Sequence, residues 1–104
     1  DSVLFTKDGL TFINFPGGRS DNPYNIPDGV TLINEYSFRY SKKLISVTIP
    51  DSETSIGSSA FKLCSCLQSF TVDQNNNYYK SEDGVLFTKN QKLLYSHLLS
   101  TYLI

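Results

Sequence analysis

Apolar residues along this chain recur on a short period and a long one, and each predicts a different level of structure. On the short period, Leu44-Ile45-Ser46-Val47-Thr48-Ile49 has the spacing L-x-x-L-x-L, as do residues 67–72 and residues 10–15. The last four positions of each alternate, which predicts a short strand with one buried face: Val47 and Ile49 inward, Ser46 and Thr48 outward. Pro16, Pro27 and Pro50 follow apolar residues and end these strands, because proline offers no donor to a ladder. Between strands, residues 56–63 place Ile56, Ala60, Phe61 and Leu63 at helix-like spacing, predicting a helical turn or two that swings the chain back. Residues 33–40 form the partner segment, and Phe38 and Phe61 are expected to fill the middle beneath Val47 and Phe70.

On the long period, Ile26-Pro27-Asp28 returns as Ile49-Pro50-Asp51, a step of 23 residues. Laying one copy on the next pairs Ile33 with Ile56, Phe38 with Phe61, Leu44 with Leu67, Val47 with Phe70 and Thr48 with Thr71. A fixed period of this size means stacked units, each too small to bury its own apolar face. A third start, Val72-Asp73, falls on the same step before the copy gives way to the polar run Gln74-Asn75-Asn76-Asn77. A wider repeat surrounds the first: Val3-Leu4-Phe5-Thr6-Lys7 returns as Val85-Leu86-Phe87-Thr88-Lys89, 82 residues on, and Tyr24-Asn25-Ile26 is echoed by Tyr102-Leu103-Ile104, 78 residues on. Asp8-Gly9 marks the first of these as a hairpin with a two-residue turn, and the second copy has Asn90-Gln91 at that corner. The expected organisation is one region, 1–104, cut from a longer array: a hairpin at 3–16, repeats at 24–48 and 47–72, and a polar loop with a second hairpin at 73–97.

These motifs carry a family resemblance. Leu44-x-x-Val47-x-Ile49-Pro50-Asp51 followed by Ile56-Gly57-Ser58-Ser59-Ala60-Phe61-Lys62-Leu63-Cys64 resembles the BspA-type leucine-rich repeat of bacterial and protist surface proteins. Residues 78–89 resemble the hairpin that interrupts such arrays. The resemblance implies a leucine-rich-repeat solenoid, α/β or mainly β, in which short parallel strands form a curved sheet with short helical turns on the other side and β-hairpin interruptions. It further implies a cell-surface or secreted location and adhesion or protein binding, with host matrix or cell-surface proteins as the partner class. Two departures stand out: Glu53 occupies a position where the family, like Val30 one repeat earlier, has an inward Val, and His97-Leu98 replaces the aromatic-proline pair seen in Phe15-Pro16.

Composition narrows the function. Net charge is −1 with Lys and Arg scattered singly, so the basic footprint of a nucleic-acid or anionic-membrane binder is missing. No apolar run is long enough to span a bilayer, and the first residues lack a signal-peptide layout. At 104 residues there is room for one domain, burying roughly 65% of its unfolded surface.

Candidate chemistry is sparse. Cys64 and Cys66 are too close in sequence to meet disulfide geometry without strain, and with His97 the only histidine they cannot complete a zinc site. Asp73-Gln74-Asn75-Asn76-Asn77 begins like a calcium loop but has Tyr78 at the sixth position and Gly84 at the twelfth. Pro16-Gly17-Gly18-Arg19-Ser20 lacks the ending that cradles phosphate and reads as a turn. The doublet Tyr78-Tyr79 is expected to pack one ring and expose the other. No Asn-x-Ser/Thr sequon occurs. The outward strand positions Phe12, Asn14, Asn25, Ser46, Thr48, Ser69 and Thr71, continued by Leu94 and Ser96, are the candidate partner-binding face, with Phe12 either an exposed anchor or packed under a loop. A non-enzymatic module without cofactor or metal is expected. Its rivals are a structural spacer or an intracellular scaffold, and the open repeat ends predict end-to-end self-association.

Overall fold

Each 23-residue step makes one coil that contributes a strand to each of two parallel ladders. The structure, a computed structural model, describes residues 3–90 and the backbone of Leu93–Tyr95. Its strands are β1 (Leu4–Phe5), β2 (Thr11–Asn14), β3 (Tyr24–Asn25), β4 (Leu32–Ile33), β5 (Ser46–Ile49), β6 (Ser55–Ile56), β7 (Ser69–Val72), β8 (Tyr79–Glu82), β9 (Val85–Thr88) and β10 (Leu93–Tyr95). The first ladder runs β3-β5-β7 and the second β1-β2-β4-β6, parallel except for the β1–β2 hairpin. In the first ladder Ser46, Val47, Thr48 and Ile49 sit opposite Ser69, Phe70, Thr71 and Val72. The 23-residue step is thus a register: equivalent side chains stack directly on one another.

Inward positions form columns through the stack. Tyr24, Val47 and Phe70 make one, Ile26, Ile49 and Val72 another, and Leu44 with Leu67 a third; of these, all but Val72 are buried. The central column is aromatic: Phe38 stacks on Phe12 at 4.6 Å, on Phe15 at 5.1 Å and on Phe61 at 4.8 Å, and Phe61 meets Phe70 edge-on at 4.9 Å. Each such ring, fully buried, contributes about 1.5–3 kcal/mol of transfer free energy. Since one coil cannot enclose a phenyl ring, this stabilisation exists only between coils.

Four sequence expectations are corrected. Among the described residues no helix forms between the ladders. The segments that were expected to be helical are successive hydrogen-bonded turns, in which Asn34 O accepts from Ser37 N, Phe38 O from Ser41 N, Gly57 O from Ala60 N and Phe61 O from Cys64 N. Tyr36, Tyr40, Ser59 and Leu63, third in each turn, adopt left-handed φ of 64°, 64°, 62° and 63°, and a left-handed residue every fourth position prevents any helical run. Residues 10–15 do not join the ladder of Val47 and Phe70: Thr11 and Phe12 pair with Leu32 and Ile33. Alternation could not reveal this, because a buried residue between less buried neighbours occurs in both ladders, Val47 in one and Phe12 in the other. At the first hairpin only Gly9 is left-handed, φ 76°, and Thr6 O accepts from Gly9 N, so Lys7 and Asp8 occupy the turn centre. The Asp-Gly two-residue turn occurs instead at Asp83-Gly84, φ 53° and 80°, joining β8 to β9.

The fourth correction concerns the polar run, which continues the coil. Val30, Glu53 and Asn76 follow one another at 23-residue steps, as do Ile33, Ile56 and Tyr79. Asn76 is buried: its Nδ2 donates to Pro50 O at 2.9 Å and Glu53 O at 3.0 Å, and its Oδ1 accepts from Tyr78 N and Tyr79 N. One amide thereby satisfies four backbone groups at the point where the coil gives way to the β8–β9 hairpin, and β10 adds to β9 antiparallel. Ser96, His97, Leu98, the Tyr102 to Ile104 echo and the Leu94 side chain lie outside the described residues.

Candidate recognition surface

The β3-β5-β7 ladder turns two rows of side chains away from the core. Asn25, Thr48 and Thr71 are cross-strand neighbours in one row, and Ser46 and Ser69 in the other. Asn25 and Thr71 are exposed, while Ser46, Thr48 and Ser69 are half-buried. Strand spacing of about 4.8 Å makes the longer row about 10 Å from end to end. At one end the β8–β9 turn closes over the sheet: Gly84 O accepts from Phe70 N at 2.9 Å. A Cβ on Gly84 would stand 3.0 Å from Ser69 Cβ at a φ of 80°, so any side chain there would press on Ser69 from a strained backbone.

Phe12 and Asn14 are not part of this face. Both belong to β2 in the other ladder, and Phe12 is fully buried against Phe5, Tyr24 and Phe38. Its reading as an exposed anchor is therefore corrected: on β2 the alternation runs with Phe12 inward and Ile13 outward, because the strand faces the aromatic column. Asn14 is exposed opposite Leu4. The structure brings Asn25, Ser46, Thr48, Ser69 and Thr71 together and leaves the other two elsewhere.

A second exposed group was missed. Tyr36 and Tyr40, in the turn after β4, are 44% and 49% exposed, and the Arg39 guanidinium lies 5.0 Å from one ring centroid and 4.9 Å from the other. The signal available in the sequence was Tyr-x-x-Arg-Tyr in a segment where the following repeat has Ser-x-x-Lys-Leu.

The ionisable groups differ in burial and in the direction of their shifts. Glu53 is 0% exposed, replacing a valine in its column. Its Oε2 accepts from Ser55 N at 3.3 Å, its Oε1 has no partner, and burial pushes the carboxyl up to about 7 despite the backbone donors of Ser55 and Ile33. Tyr79, whose hydroxyl accepts from Ile56 N at 2.9 Å, is raised by burial first and by the nearby Glu53 charge last. Cys64 is buried, donates to Phe38 O at 3.0 Å and is pushed up to about 12 by desolvation; Cys66 is exposed, and neither cysteine is in a disulfide. Tyr78 is exposed and Tyr79 buried. Asp8 lies below the ordinary carboxylate range because Leu10 N and the Thr6 hydroxyl donate to it. Among the described residues no group of three His, Cys, Asp or Glu side chains is placed to hold a metal ion, and no helix is long and apolar enough to cross a membrane.

Stacked coils with paired ladders define a leucine-rich-repeat protein. Residues 15–100 match the BspA type leucine rich repeat region in six copies, and the chain belongs to that family. Among solved structures it is similar to a leucine-rich repeat protein from Eubacterium ventriosum, with 29% identity and a TM-score of 0.61 over 65% of this chain. The chain spans 18% of the length of that protein. No curated protein matches this chain. Repeats of this kind generally mediate protein interactions and form a largely non-enzymatic family, typical of surface or secreted bacterial proteins.

Proposed function

We propose that this chain is a protein-recognition segment of a cell-surface or secreted repeat protein, working without catalysis or cofactor. The observation that carries the reading is the side-by-side arrangement of Asn25, Thr48 and Thr71 on a ladder whose opposite face is locked into the core. A partner meeting that face finds donors and acceptors already in position, so little ordering entropy is lost on binding. Host matrix and cell-surface proteins remain the partner class, and adhesion the role.

The rival reading, a spacer that holds other domains away from the cell, draws support from the same rows: Ser and Thr are good neighbours on any solvated sheet. Immobilised chain exposed to a panel of matrix and cell-surface proteins separates the two. Saturable binding weakened by Thr48→Asp and Thr71→Asp supports recognition by the ladder. No binding by the chain or by a longer array supports the spacer. Surface proteolysis of intact cells of the source, followed by detection of the repeat, tests the location.

A further inference from the structure

The turns at residues 34–43 and 57–66 lie on one rim of the stack, joined by Phe38 N donating to Ala60 O at 2.8 Å and Tyr40 N to Lys62 O at 3.2 Å. These two turns hold four of the nine Lys and Arg residues, Arg39, Lys42, Lys43 and Lys62, and one of the ten acids, Glu35. The rim therefore carries +3 in a chain whose net charge is −1. Glu35 is occupied, since its Oε2 accepts from Ser58 Oγ at 2.8 Å. All four cations are exposed.

Backbone geometry singles out the first turn. Position for position, Tyr36 and Tyr40 match Ser59 and Leu63, with φ between 62° and 64° in all four. Coil geometry demands a left-handed residue at those places, and a bulky aromatic is a poor choice for it. Two tyrosines there are explained by what they hold: Arg39 between their rings, its Nη2 donating to the Tyr40 hydroxyl at 3.4 Å. Contact with both rings restrains the guanidinium, Arg39 remains exposed, and it forms no ion pair among the described residues.

We propose that this rim docks an acidic segment of a protein partner, a proposal that rests on the recognition reading above. A carboxylate takes the Arg39 fork bidentately, the tyrosine rings cover apolar side chains beside it, and Lys42, Lys43 and Lys62 attract the rest of the acidic run. Exposed Tyr and Arg in contact form the residue combination that dominates protein interfaces, which favours a protein segment over a polyanionic polysaccharide.

The probe is a fluorescein-labelled peptide alternating Glu with Leu, set beside its Gln-for-Glu counterpart and heparin, with fluorescence anisotropy as the readout. Saturable binding of the Glu peptide is expected, weakened about tenfold or more by Arg39→Gln, by Tyr36→Ser, which copies Ser59, and in the Gln peptide. Lys7→Gln, which removes an exposed cation at the first hairpin turn, is expected to leave it unchanged, and far-UV circular dichroism confirms that each variant is folded. Equal affinity for the two peptides, an unaffected Arg39→Gln, or binding of heparin alone overturns the proposal. If neither peptide binds while the immobilised chain still captures a protein saturably, the rim proposal falls and the recognition reading stands. If the Glu peptide binds as expected and no natural protein is captured, the rim chemistry stands and the broader reading falls.

Discussion

Replacing Glu53 with Gln is expected to stabilise the chain at neutral pH and to leave it nearly unchanged in mild acid. The side chain is fully buried in a column that holds Val30 one coil earlier, and its carboxyl titrates at about 7 rather than at 4.5. Below pH 4.5 the carboxyl is neutral folded and unfolded, so the native state bears no charge penalty. As pH rises past 4.5 the unfolded chain releases its proton while the folded chain retains it, and the stability that depends on that proton is lost up to about pH 7. At about 1.4 kcal/mol per pH unit, the loss sums to about 3 kcal/mol. Tyr79, the nearby titratable group, has its range above 10 and does not contribute in this window. Gln keeps an acceptor for Ser55 N, and its amide nitrogen replaces the unpartnered Oε1 without adding charge. Urea unfolding followed by circular dichroism and tyrosine fluorescence, in a chain without tryptophan, measures the difference from pH 4.5 to pH 8. Glu53→Gln is expected to equal the parent at the acid end and exceed it by about 3 kcal/mol at the other. A parent and variant whose stabilities run parallel across that range would refute the buried-carboxylate reasoning.

Other consequences follow from the packing. Phe38→Ala removes the ring shared by Phe12, Phe15 and Phe61 and is expected to cost about 3–5 kcal/mol in urea unfolding, whereas truncating exposed Leu10 costs under about 0.5. Gly57→Ala would put a Cβ 2.5 Å from Glu35 N and 2.9 Å from Asn34 C, both backbone, so a loss of about 1–3 kcal/mol is expected; Gly18→Ala, with nothing within 4 Å, is the neutral control. With Cys64 buried and its thiol pushed up to about 12, a thiol reagent at pH 8 is expected to modify Cys66 in the native chain and Cys64 only after denaturation, as mass spectrometry of the labelled peptides can establish.

How far the sequence could be read depends on which interaction decided each feature. The coil repeat was legible because stacking forces equivalent side chains into one column, and a column leaves matching residue types every 23 positions, as with Phe38 and Phe61. The family followed from the same residues. The ladder to which residues 10–15 belong was not legible, since Leu10, Ile13 and Phe15 repeat the spacing of Leu44, Val47 and Ile49, which turns Phe12 to the outer face, whereas on β2 Phe12 is buried and Ile13 exposed. Apolar spacing in residues 56–63 mimicked a helix because four-residue turns also bring every fourth side chain inward; left-handed Ser59 and Leu63 carry no marker that sequence periodicity can detect. Asn76 hid within a run of asparagines, its inward role visible only from the 23-residue step that connects it to Glu53 and Val30. Tyr36, Arg39 and Tyr40 were overlooked because they break the repeat pattern, which is where recognition residues are to be found on a repeat scaffold.

The central claim is that this stack of coils is a recognition surface. Its most direct test is a binding isotherm of the immobilised chain against matrix and cell-surface proteins, repeated with Phe38→Ala, which loosens the stack without altering exposed residues. The account predicts a saturable isotherm that weakens as the coils come apart. Uptake that stays linear in partner concentration, or that is unchanged when the stack is loosened, would contradict it.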